Sequence, residues 1–384
     1  MKVLLVSSSS GSRGGGEHYL LYLGAALAER GHEPVLWAAR HPRMDELAAR
    51  FANTGRVIRA DYTNTYDRPA RSFASWLDHA AARRVSKEWR LLAPEVIHIN
   101  KQNLEDGLDL LAAARLAGLP CLSMVHITQS AHYLRATLAG VRDWVARRAL
   151  RDFPGTFVTT PENRQRELAD FLGTSERVRM IANGVPRFDL TDREAVRDSK
   201  RAELGIGENE LLVVAVGRLV PQKRPLLFLQ HAATARRRVP EARFVWVGDG
   251  DLRDEWDRDV AAHGLSGAVQ RVGWQEHVSP FLAAADVFLH TAEFEGQPFA
   301  MLEAMSAALP CAVVPDLGAE LPFLNAQNSI AVDDAGAWLA PLANEATRAT
   351  YGQAARELHD RQFTFARMAA SYEALYRELC QARP

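Results

Sequence analysis

Two glutamates, Glu295 and Glu303, are separated by seven residues in the segment EFEGQPFAMLEAM. Glu295 follows the apolar run VFLHT, and Pro298 suits the first turn of a helix that carries Glu303. The start of a helix offers unpaired N–H groups and a partial positive charge, which favour a phosphate or the hydroxyls of a sugar. Carboxylates beside it would accept hydrogen bonds from sugar or ribose hydroxyls. The competing interpretation makes Glu303 a first-turn charge that stabilises its helix and Glu295 a solvated loop residue.

Two cations follow another apolar run, in the segment VGRLVPQKRP. A buried strand is predicted to end at Gly217, so that Arg218 and Lys223 lie in the loop before the next helix. Cations at the carboxyl end of a strand can neutralise a diphosphate leaving group. The alternative is a basic loop that is structural or solvated and binds no ligand.

Three consecutive glycines, Gly14, Gly15 and Gly16, follow the first predicted strand and open the first helix. They do not match the G-x-G-x-x-G spacing, so a nicotinamide dinucleotide site is weakly supported. Consecutive glycines let a backbone approach a ligand closely, whereas a merely flexible loop is the alternative. His126 ends the run CLSMVH at the same kind of position, where it is either a ligand contact or a structural histidine.

Short apolar runs alternate with amphipathic stretches along the chain, which predicts parallel strands connected by helices. The runs are 3–7, 33–38, 56–60, 95–99, 121–126, 156–160, 179–182, 211–216, 243–248, 269–273, 287–291 and 311–315. A charged stretch after residue 188 predicts a boundary between two doubly wound α/β domains that face a central cleft. By the same alternation, we expect His98 to point into the fold, and Asn100 and Lys101 to close a strand and line the cleft.

The length, net charge, apolar runs and cysteine content of the chain exclude several classes of protein. A length of 384 residues suggests two domains, and a net charge of -1 argues against a nucleic-acid binder. We expect a first strand rather than a signal peptide in MKVLLV, and no apolar run approaches the ~20 residues of a membrane span. The three cysteines, Cys121, Cys311 and Cys380, support neither a zinc site nor a disulfide framework and fit a reducing cytoplasm.

Taken together, these segments resemble family 4 of the retaining glycosyltransferases. The resemblance rests on the glycine loop and on the segments NGV (183–185), VGRLVPQKRP (216–225), VGDGDLRDEW (247–256), RVGW (271–274), ADVFLHTAEFEGQPFAMLEAMSAALP (285–310) and FTFARMAASYEALY (363–376). It implies the GT-B fold of two Rossmann-like domains. Residues 1–188 would bind the acceptor and 189–365 the nucleotide-sugar donor, and a last helix at 366–384 would pack back on the first domain.

The resemblance also implies roles for matching positions. Arg218 and Lys223, with Gly217 beside them, would hold the donor diphosphate, and Glu303 its ribose. The donor sugar would contact Glu295, His126 and the segment Gly296, Gln297, Pro298 and Phe299, where Pro298 removes a backbone donor that the family's commoner Glu-Gly-Phe-Gly keeps. Trp274 would lie near the base and the glycines 14–16 over the phosphates. The candidate acceptor contacts are Asn100, Lys101 and Thr128.

The implied activity is hexosyl transfer from a nucleotide sugar in the cytoplasm, by same-face substitution with retention of configuration. A UDP-sugar is the favoured donor and GDP-mannose the second, while the acceptor is a sugar, a lipid-linked compound or a small metabolite. Arg218, Lys223 and a helix start supply positive charge, so we expect no cofactor and no metal requirement. The alternatives are a UDP-sugar 2-epimerase of the same architecture and a non-catalytic nucleotide-sugar-binding subunit.

The segment 132–153 mixes basic and apolar residues at helical spacing. A packed surface helix is the favoured interpretation, and peripheral contact with the inner face of a membrane is the alternative.

Overall fold

The computed structural model describes residues 1–189 and 191–382. Contacts divide the chain into two units. The first unit comprises Met1–Gly184 together with the segment that begins at Phe365, and the second comprises Val185–Thr364. Each unit is built on one parallel sheet whose strands are connected mainly by helices, so the predicted doubly wound α/β class is confirmed.

The sheet of the first unit has seven strands in the order β3-β2-β1-β4-β5-β6-β7, all parallel. The strands are β1 (Lys2–Ser7), β2 (Glu33–Ala39), β3 (Arg56–Ala60), β4 (Val96–Asn103), β5 (Cys121–Ile127), β6 (Thr156–Thr159) and β7 (Val178–Met180). Their residues are largely buried, as expected for parallel strands covered on both faces.

The helices of the first unit connect these strands. They are α1 (Gly15–Glu29), α2 (Asp45–Phe51), α3 (Arg71–Leu77), α4 (His79–Leu92), α5 (Leu108–Ala117), α6 (Ala139–Asp152) and α7 (Glu162–Leu172), with 3₁₀ turns at Pro42–Met44 and Thr65–Asp67.

Helix α6 is shorter than the segment predicted from sequence. The Asp143 carboxylate accepts hydrogen bonds from the backbone N–H groups of Ala131 (2.7 Å) and His132 (3.1 Å), which folds the preceding residues back in turns. The helix therefore begins only after Leu138. One of its faces is buried through Val145, Ala146, Ala149 and Leu150, so the helix packs on the first unit along that face.

The second unit repeats the plan with six parallel strands in the order β10-β9-β8-β11-β12-β13. The strands are β8 (Leu212–Val216), β9 (Arg243–Val247), β10 (Val269–Arg271), β11 (Val287–His290), β12 (Cys311–Val313) and β13 (Ile330–Ala331). The sequence pattern missed β13 because a strand of two residues has no alternation to detect.

The helices of the second unit are α8 (Arg193–Leu204), α9 (Pro225–Arg236), α10 (Arg253–Ala262), α11 (Ser279–Ala284), α12 (Phe299–Ser306), α13 (Pro315–Glu320) and α14 (Glu345–Gln362), with 3₁₀ segments at Pro221–Lys223 and Ala337–Ala343. Within the described part of the chain, no helix has both the length and the apolar character needed to cross a bilayer.

The last helix, α15 (Phe365–Gln381), belongs to the first unit. Its Tyr376 hydroxyl lies 2.7 Å from Nδ1 of the buried His98, and Nε of Arg30, which directly follows α1, donates to its Glu373 at 2.8 Å. His98 has no exposed surface, which confirms that it points into the fold.

In each sheet, the strand order reverses at one place. This switch point lies between β1 and β4 in the first unit and between β8 and β11 in the second. Loops that leave the carboxyl ends of two such strands diverge and leave a crevice, which is where ligands bind in open α/β sheets. The predicted site residues lie near or beyond the carboxyl ends of β1, β4, β5, β8, β10 and β11, so the topology of each unit places its own set at one sheet edge.

Candidate functional site

The centre of the site in the second unit is an ion pair between Lys223 and Glu295. Lys223 ends the 3₁₀ turn that follows β8, and Glu295 lies in the loop after the neighbouring strand β11. The Nζ of Lys223 donates to Oε1 of Glu295, and the two side chains are only 19% and 11% exposed. The alternative of a solvated loop charge for Glu295 is therefore wrong.

The two loops that carry this pair are tied together by further hydrogen bonds. The backbone N–H of Glu293 donates to the carbonyl of Gln222 at 2.8 Å, and the side-chain amide of Gln222 donates to the carbonyl of Phe294 at 3.1 Å. The hydroxyl of Thr291 donates to the carbonyl of Lys223 at 2.9 Å. These three hydrogen bonds hold the two loops, and with them the ion pair, in place.

His290, the last residue of β11, lies next to this ion pair. Its Nε2 lies 3.4 Å from Oε1 of Glu295, and burial lowers the pKa of His290. Burial raises the pKa of Glu295, but the charge of Lys223 and the contact with His290 outweigh it, so the pKa falls to about 2. Glu295 is therefore a carboxylate at neutral pH. Sequence reasoning missed His290, although a polar residue at the end of an apolar strand, just before a candidate loop, is a usable signal.

Arg218 lies at the start of the same loop and is exposed. Within residues 1–189 and 191–382, its guanidinium has no ion-pair partner, unlike Lys223. The adjacent Gly217 carbonyl accepts a hydrogen bond from Nε1 of Trp246 at 2.8 Å. Gly248 has φ 140°, and a Cβ there would lie 2.0 Å from the Gly217 carbonyl oxygen, so only glycine permits this close packing.

Helix α12 begins at Phe299, with Pro298 as its N-cap residue. Gln297, Pro298 and Phe299 are buried, whereas Gly296 and Glu303 are partly exposed. Glu303 is the fifth residue of the helix, and the first turn contains no acidic residue. The alternative that Glu303 stabilises the first turn is therefore wrong. Trp274 is partly exposed in the loop between β10 and α11.

In the first unit, Asn100 of β4 and His126 of β5 form a second cluster. The amide nitrogen of Asn100 donates to the carbonyl of Gly16 at 3.0 Å, and its Oδ1 lies 2.7 Å from Nε2 of His126. Since the amide oxygen can only accept, Nε2 of His126 carries the proton. Burial lowers the pKa of His126 to about 4. The neutral ring therefore offers Nδ1 as a hydrogen-bond acceptor.

The glycine segment is ordered by its neighbours. Gly15 and Gly16 are the first two residues of α1, and Gly14 precedes them in an extended conformation, so the flexible-loop alternative is wrong for Gly15 and Gly16. A Cβ on Gly16 would lie 2.2 Å from Nε2 of Gln102, which itself donates to Oγ of Ser9 at 2.7 Å. Gly16 thus lets the end of β4 pack against the start of α1.

The three candidate acceptor contacts, Asn100, Lys101 and Thr128, are enclosed by protein atoms, with exposed fractions of 0%, 0% and 3%. Burial lowers the pKa of Lys101 to about 8 against the opposing charges of three carboxylates, and its Nζ has no hydrogen-bond partner in the described chain. The Thr128 hydroxyl donates to Glu167. Strand β4 continues to Asn103, so the prediction that Asn100 and Lys101 close a strand is wrong. All three side chains face the interior and do not line an open cleft.

The candidate residues therefore form two sets. The donor cluster, Lys223 with Glu295, His290 and Arg218, belongs to the second unit, and the histidine cluster, His126 with Asn100 and Gly16, belongs to the first. The donor cluster offers a cation next to a carboxylate, which suits an anion that carries hydroxyl groups. In the described chain, no group of three or more His, Cys, Asp or Glu side chains could hold a metal ion.

Two relatives of known name match parts of the chain. The UDP-Gal:alpha-D-GlcNAc-diphosphoundecaprenol alpha-1,3-galactosyltransferase of Escherichia coli is 31% identical over 52% of this chain and 53% of its own. The lipopolysaccharide core biosynthesis glycosyltransferase LpsE of Rhizobium meliloti is 30% identical over 42% of this chain and 45% of its own. The matched segments thus span about half the length of these curated relatives.

The fold matches along nearly the whole chain. The crystal structure of HepE from Anabaena in complex with UDP-glucose superposes with a TM-score of 0.78 at 18% identity, covering 98% of this chain and 100% of that one. The GT-B architecture expected from the sequence, with two Rossmann-like domains, is therefore confirmed.

Two family models match in sequence order. The model for "Glycosyltransferase Family 4" matches residues 13–187, which include the glycines and His126. The model for "Glycosyl transferases group 1" matches residues 210–344, which include the whole donor cluster. With both models in this order on the expected fold, the chain belongs to family 4 of the glycosyltransferases.

Proposed function

We propose that the protein is a retaining glycosyltransferase that moves a hexosyl unit from a nucleotide sugar to a carbohydrate, lipid-linked or small-molecule acceptor. The donor cluster carries this proposal. The buried carboxylate of Glu295 is held ionised by Lys223 at the point where the strand order of the second sheet reverses. Arg218, in the same loop as Lys223, is exposed. A diphosphate would add the anion for these two cations, and the attached sugar would add the hydroxyls for Glu295.

The donor would be held as follows. A lysine ammonium has three N–H donors, so Lys223 can keep Glu295 and still bind a phosphate oxygen. Arg218 would bind the same diphosphate and stabilise its charge as it leaves. Glu303, on α12, would accept hydrogen bonds from the ribose hydroxyls, while the loop from Gly296 to Phe299 would lie along the sugar.

His126 would act on the transferred sugar from the first unit. Its neutral ring, with the proton fixed on Nε2 by Asn100, leaves Nδ1 to accept a hydrogen bond from a sugar hydroxyl. His126 would thereby orient the sugar. The departing diphosphate oxygen would accept the proton of the incoming acceptor hydroxyl, as the bond from the sugar to the diphosphate breaks and the new glycosidic bond forms on the same face.

A UDP-hexose is the proposed donor and GDP-mannose the second choice. The E. coli relative is named for UDP-Gal, and HepE was solved with UDP-glucose. The same E. coli relative is named for a sugar linked to diphosphoundecaprenol, so a lipid-linked sugar diphosphate is the first acceptor to test.

We further propose that transfer needs no divalent metal. Two cations and the start of α12 can supply the positive charge that a metal would otherwise bring to the diphosphate. Excess EDTA should leave turnover nearly unchanged, and loss of activity with rescue by magnesium or manganese would contradict this.

The test of the function is a two-step assay. A thermal-shift screen across UDP-, GDP-, ADP- and dTDP-sugars identifies the donor, because a ligand that binds only the folded state raises the midpoint of unfolding. Release of the nucleoside diphosphate is then measured with and without a GlcNAc-diphosphate lipid and simpler sugar acceptors. Release that depends on an acceptor supports the transferase.

Two other outcomes point to the alternatives. Interconversion of UDP-sugars without an acceptor identifies a 2-epimerase, and donor binding without turnover in either arm identifies a binding subunit. A Lys223→Ala variant should lose donor stabilisation, while an Arg115→Gln variant, altered at an exposed residue near the end of α5, should keep it.

A further inference from the structure

The first unit exposes a group of large apolar side chains within twelve residues. We call it the apolar surface, and its members are Tyr133 (59% exposed), Leu134 (43%), Leu138 (72%), Val141 (49%) and Trp144 (56%). Val141 and Trp144 are three residues apart and lie on one side of α6, and Leu138 immediately precedes the helix. The opposite side of the helix is buried. Scattered exposed apolar residues are ordinary, but a contiguous set marks an interaction site.

The indole of Trp144 also contacts Trp76 on α3, with ring centroids 5.8 Å apart at 82°. This contact fixes the ring on a packed pair of helices instead of leaving it on a mobile loop. The apolar surface is thus presented by rigid elements of the fold.

The charge around the apolar surface is positive. Residues 132–148 contain four arginines and one aspartate. That aspartate, Asp143, is buried and accepts two backbone N–H groups, so it does not face outward. Arg135, between Leu134 and Leu138, is exposed and forms no ion pair with a described residue.

The carboxylates near the apolar surface are already paired. Glu105 accepts two hydrogen bonds from the guanidinium of Arg142, at 2.8 and 2.6 Å, and Asp152 lies 3.3 Å from Arg148. Glu105 also accepts from Ser72, next to the exposed Arg71 on α3. Arg71 and Arg135 therefore leave a net positive charge that a partner surface must balance.

We propose that the apolar surface binds the face of a bilayer that contains anionic lipids. Aromatic and leucine side chains at this density, with arginines between them, match the interface of such a bilayer, where rings and aliphatic chains enter the headgroup region and guanidinium groups pair with phosphates. A protein partner or a second copy of the chain would need a complementary acidic and apolar patch of its own.

The apolar surface also lies at the functional edge of its unit. Strand β5 carries His126 and ends at Ile127, and the segment that follows leads directly into Tyr133. Binding to a bilayer would thus bring the carboxyl edge of the first sheet toward the lipid. This inference does not depend on the glycosyl-transfer proposal, because vesicle binding is measured without donor or acceptor.

The test is flotation of the purified protein with vesicles of phosphatidylcholine alone and of phosphatidylcholine mixed with phosphatidylglycerol. We expect binding to the mixed vesicles, little binding to the neutral ones, and weaker binding as salt is raised. Leu138→Ser and Trp144→Ser should each reduce the affinity by ~tenfold or more, since each removes the burial of one large apolar side chain. The pair Arg71→Gln and Arg135→Gln should abolish the preference for anionic vesicles.

Matched controls lie at the opposite edge of the same sheet. Leu91, 87% exposed near the end of α4, and Arg115, near the end of α5, allow the same changes, Leu91→Ser and Arg115→Gln. Neither should alter binding. Because Leu138 is 72% exposed, its variant tests the proposal even if Trp144→Ser disturbs the fold.

Three results would overturn the inference. They are no binding to the mixed vesicles, an equal loss of binding in the controls, and a dimer in sedimentation velocity that Leu138→Ser converts to a monomer. The last would assign the apolar surface to contact between two copies of the chain.

Discussion

Asn100 bridges the imidazole of His126 and the first turn of α1, with Oδ1 2.7 Å from Nε2 of the histidine and the amide nitrogen 3.0 Å from the carbonyl oxygen of Gly16. One buried amide thereby orients the ring, assigns its proton and connects β4 and β5 to the glycine segment. This makes Asn100 a positioning residue for His126 in the proposed reaction, instead of the acceptor contact that the sequence suggested.

The variant Asn100→Asp tests this relationship. A carboxylate next to His126 should raise the pKa of the ring from about 4 by about 1 unit or more, since an opposite charge favours the protonated form. Protonated His126 cannot accept at Nδ1, so the acid limb of the kcat profile should move to higher pH. The pH dependence of kcat measures this. Asn103→Asp, further along the same strand, is the control, and an unmoved acid limb in Asn100→Asp would refute the role.

A second prediction concerns the stability of the ion pair. Lys223→Ala leaves a carboxylate that is 11% exposed without its cation, which should cost up to about 3 kcal/mol in the free energy of unfolding. Adding Glu295→Ala should recover part of that loss, because it removes the uncompensated charge. Urea unfolding of both variants measures the difference. A double variant less stable than Lys223→Ala alone would show that the pair is not coupled.

Glu303→Ala tests the ribose contact. Removing an acceptor from the donor site should weaken nucleotide-sugar binding by ~tenfold or more. The control is Glu293→Ala in the preceding loop, whose carboxylate is 55% exposed and lies 3.6 Å from Arg224. Calorimetry with the donor found in the thermal-shift screen should separate the two variants. Equal affinities would remove Glu303 from the proposed site.

The sequence predicted the sheet pattern well because parallel strands that are buried on both faces appear as unbroken apolar runs, such as VLLVS, which became β1. It predicted the location of the candidate residues for a related reason: side chains just after such runs must lie at one sheet edge. Strand periodicity could not predict whether a side chain near the end of a strand faces solvent or the interior. Lys101 lies near the end of β4 and Thr128 just after β5, as His126 lies near the end of β5, yet both are enclosed by protein atoms.

The ion pair between Lys223 and Glu295 could not be predicted from the sequence either. The distance in sequence between Lys223 and Glu295 says nothing about their contact, which arises because β8 and β11 are neighbours despite two intervening strands. The role of His290 depends on the same adjacency. Residues 132–138 have helical periodicity but lie outside α6, because hydrogen bonds to Asp143 hold the segment in turns. Here a tertiary contact determines the conformation in place of the local helical preference.

The buried His98 should make the first unit sensitive to acid. Burial lowers its pKa to about 3, between the hydroxyls of Tyr19 and Tyr376. In the unfolded chain, His98 takes up a proton near its ordinary pKa of ~6.5, whereas in the folded protein it stays neutral. The free energy of unfolding is therefore highest above that pH and falls as the pH drops toward 3, by up to ~1.4 kcal/mol per pH unit.

The variant His98→Gln has no proton to take up. Its deficit in the free energy of unfolding, measured by urea at pH 7 and pH 5, should therefore shrink by about 2 kcal/mol at the lower pH. His126 titrates in both proteins and cancels in the comparison. A deficit that is equal at the two pH values would show that His98 is not the acid-sensitive group.

The stereochemical outcome tests the proposed mechanism. A double displacement needs a carboxylate nucleophile below the anomeric carbon. Glu295 is the buried carboxylate of the donor cluster, but its pKa of about 2 and its contact with Lys223 make it a strongly stabilised anion and thus a weak nucleophile. Same-face substitution needs no such group, since the diphosphate on Arg218 and Lys223 can accept the acceptor's proton.

Under same-face substitution, Glu295→Gln should slow transfer without trapping a glycosylated enzyme, and Glu293→Gln should leave the rate unchanged. Proton NMR of the first product should show an α-linkage from an α-linked donor, whereas a β-linkage would exclude retention. Intact-mass spectrometry of the wild-type protein during turnover gives the second readout. A covalent hexosyl adduct on Glu295 would leave retention standing and refute the same-face route, because the anion that Lys223 stabilises would then have attacked the sugar itself.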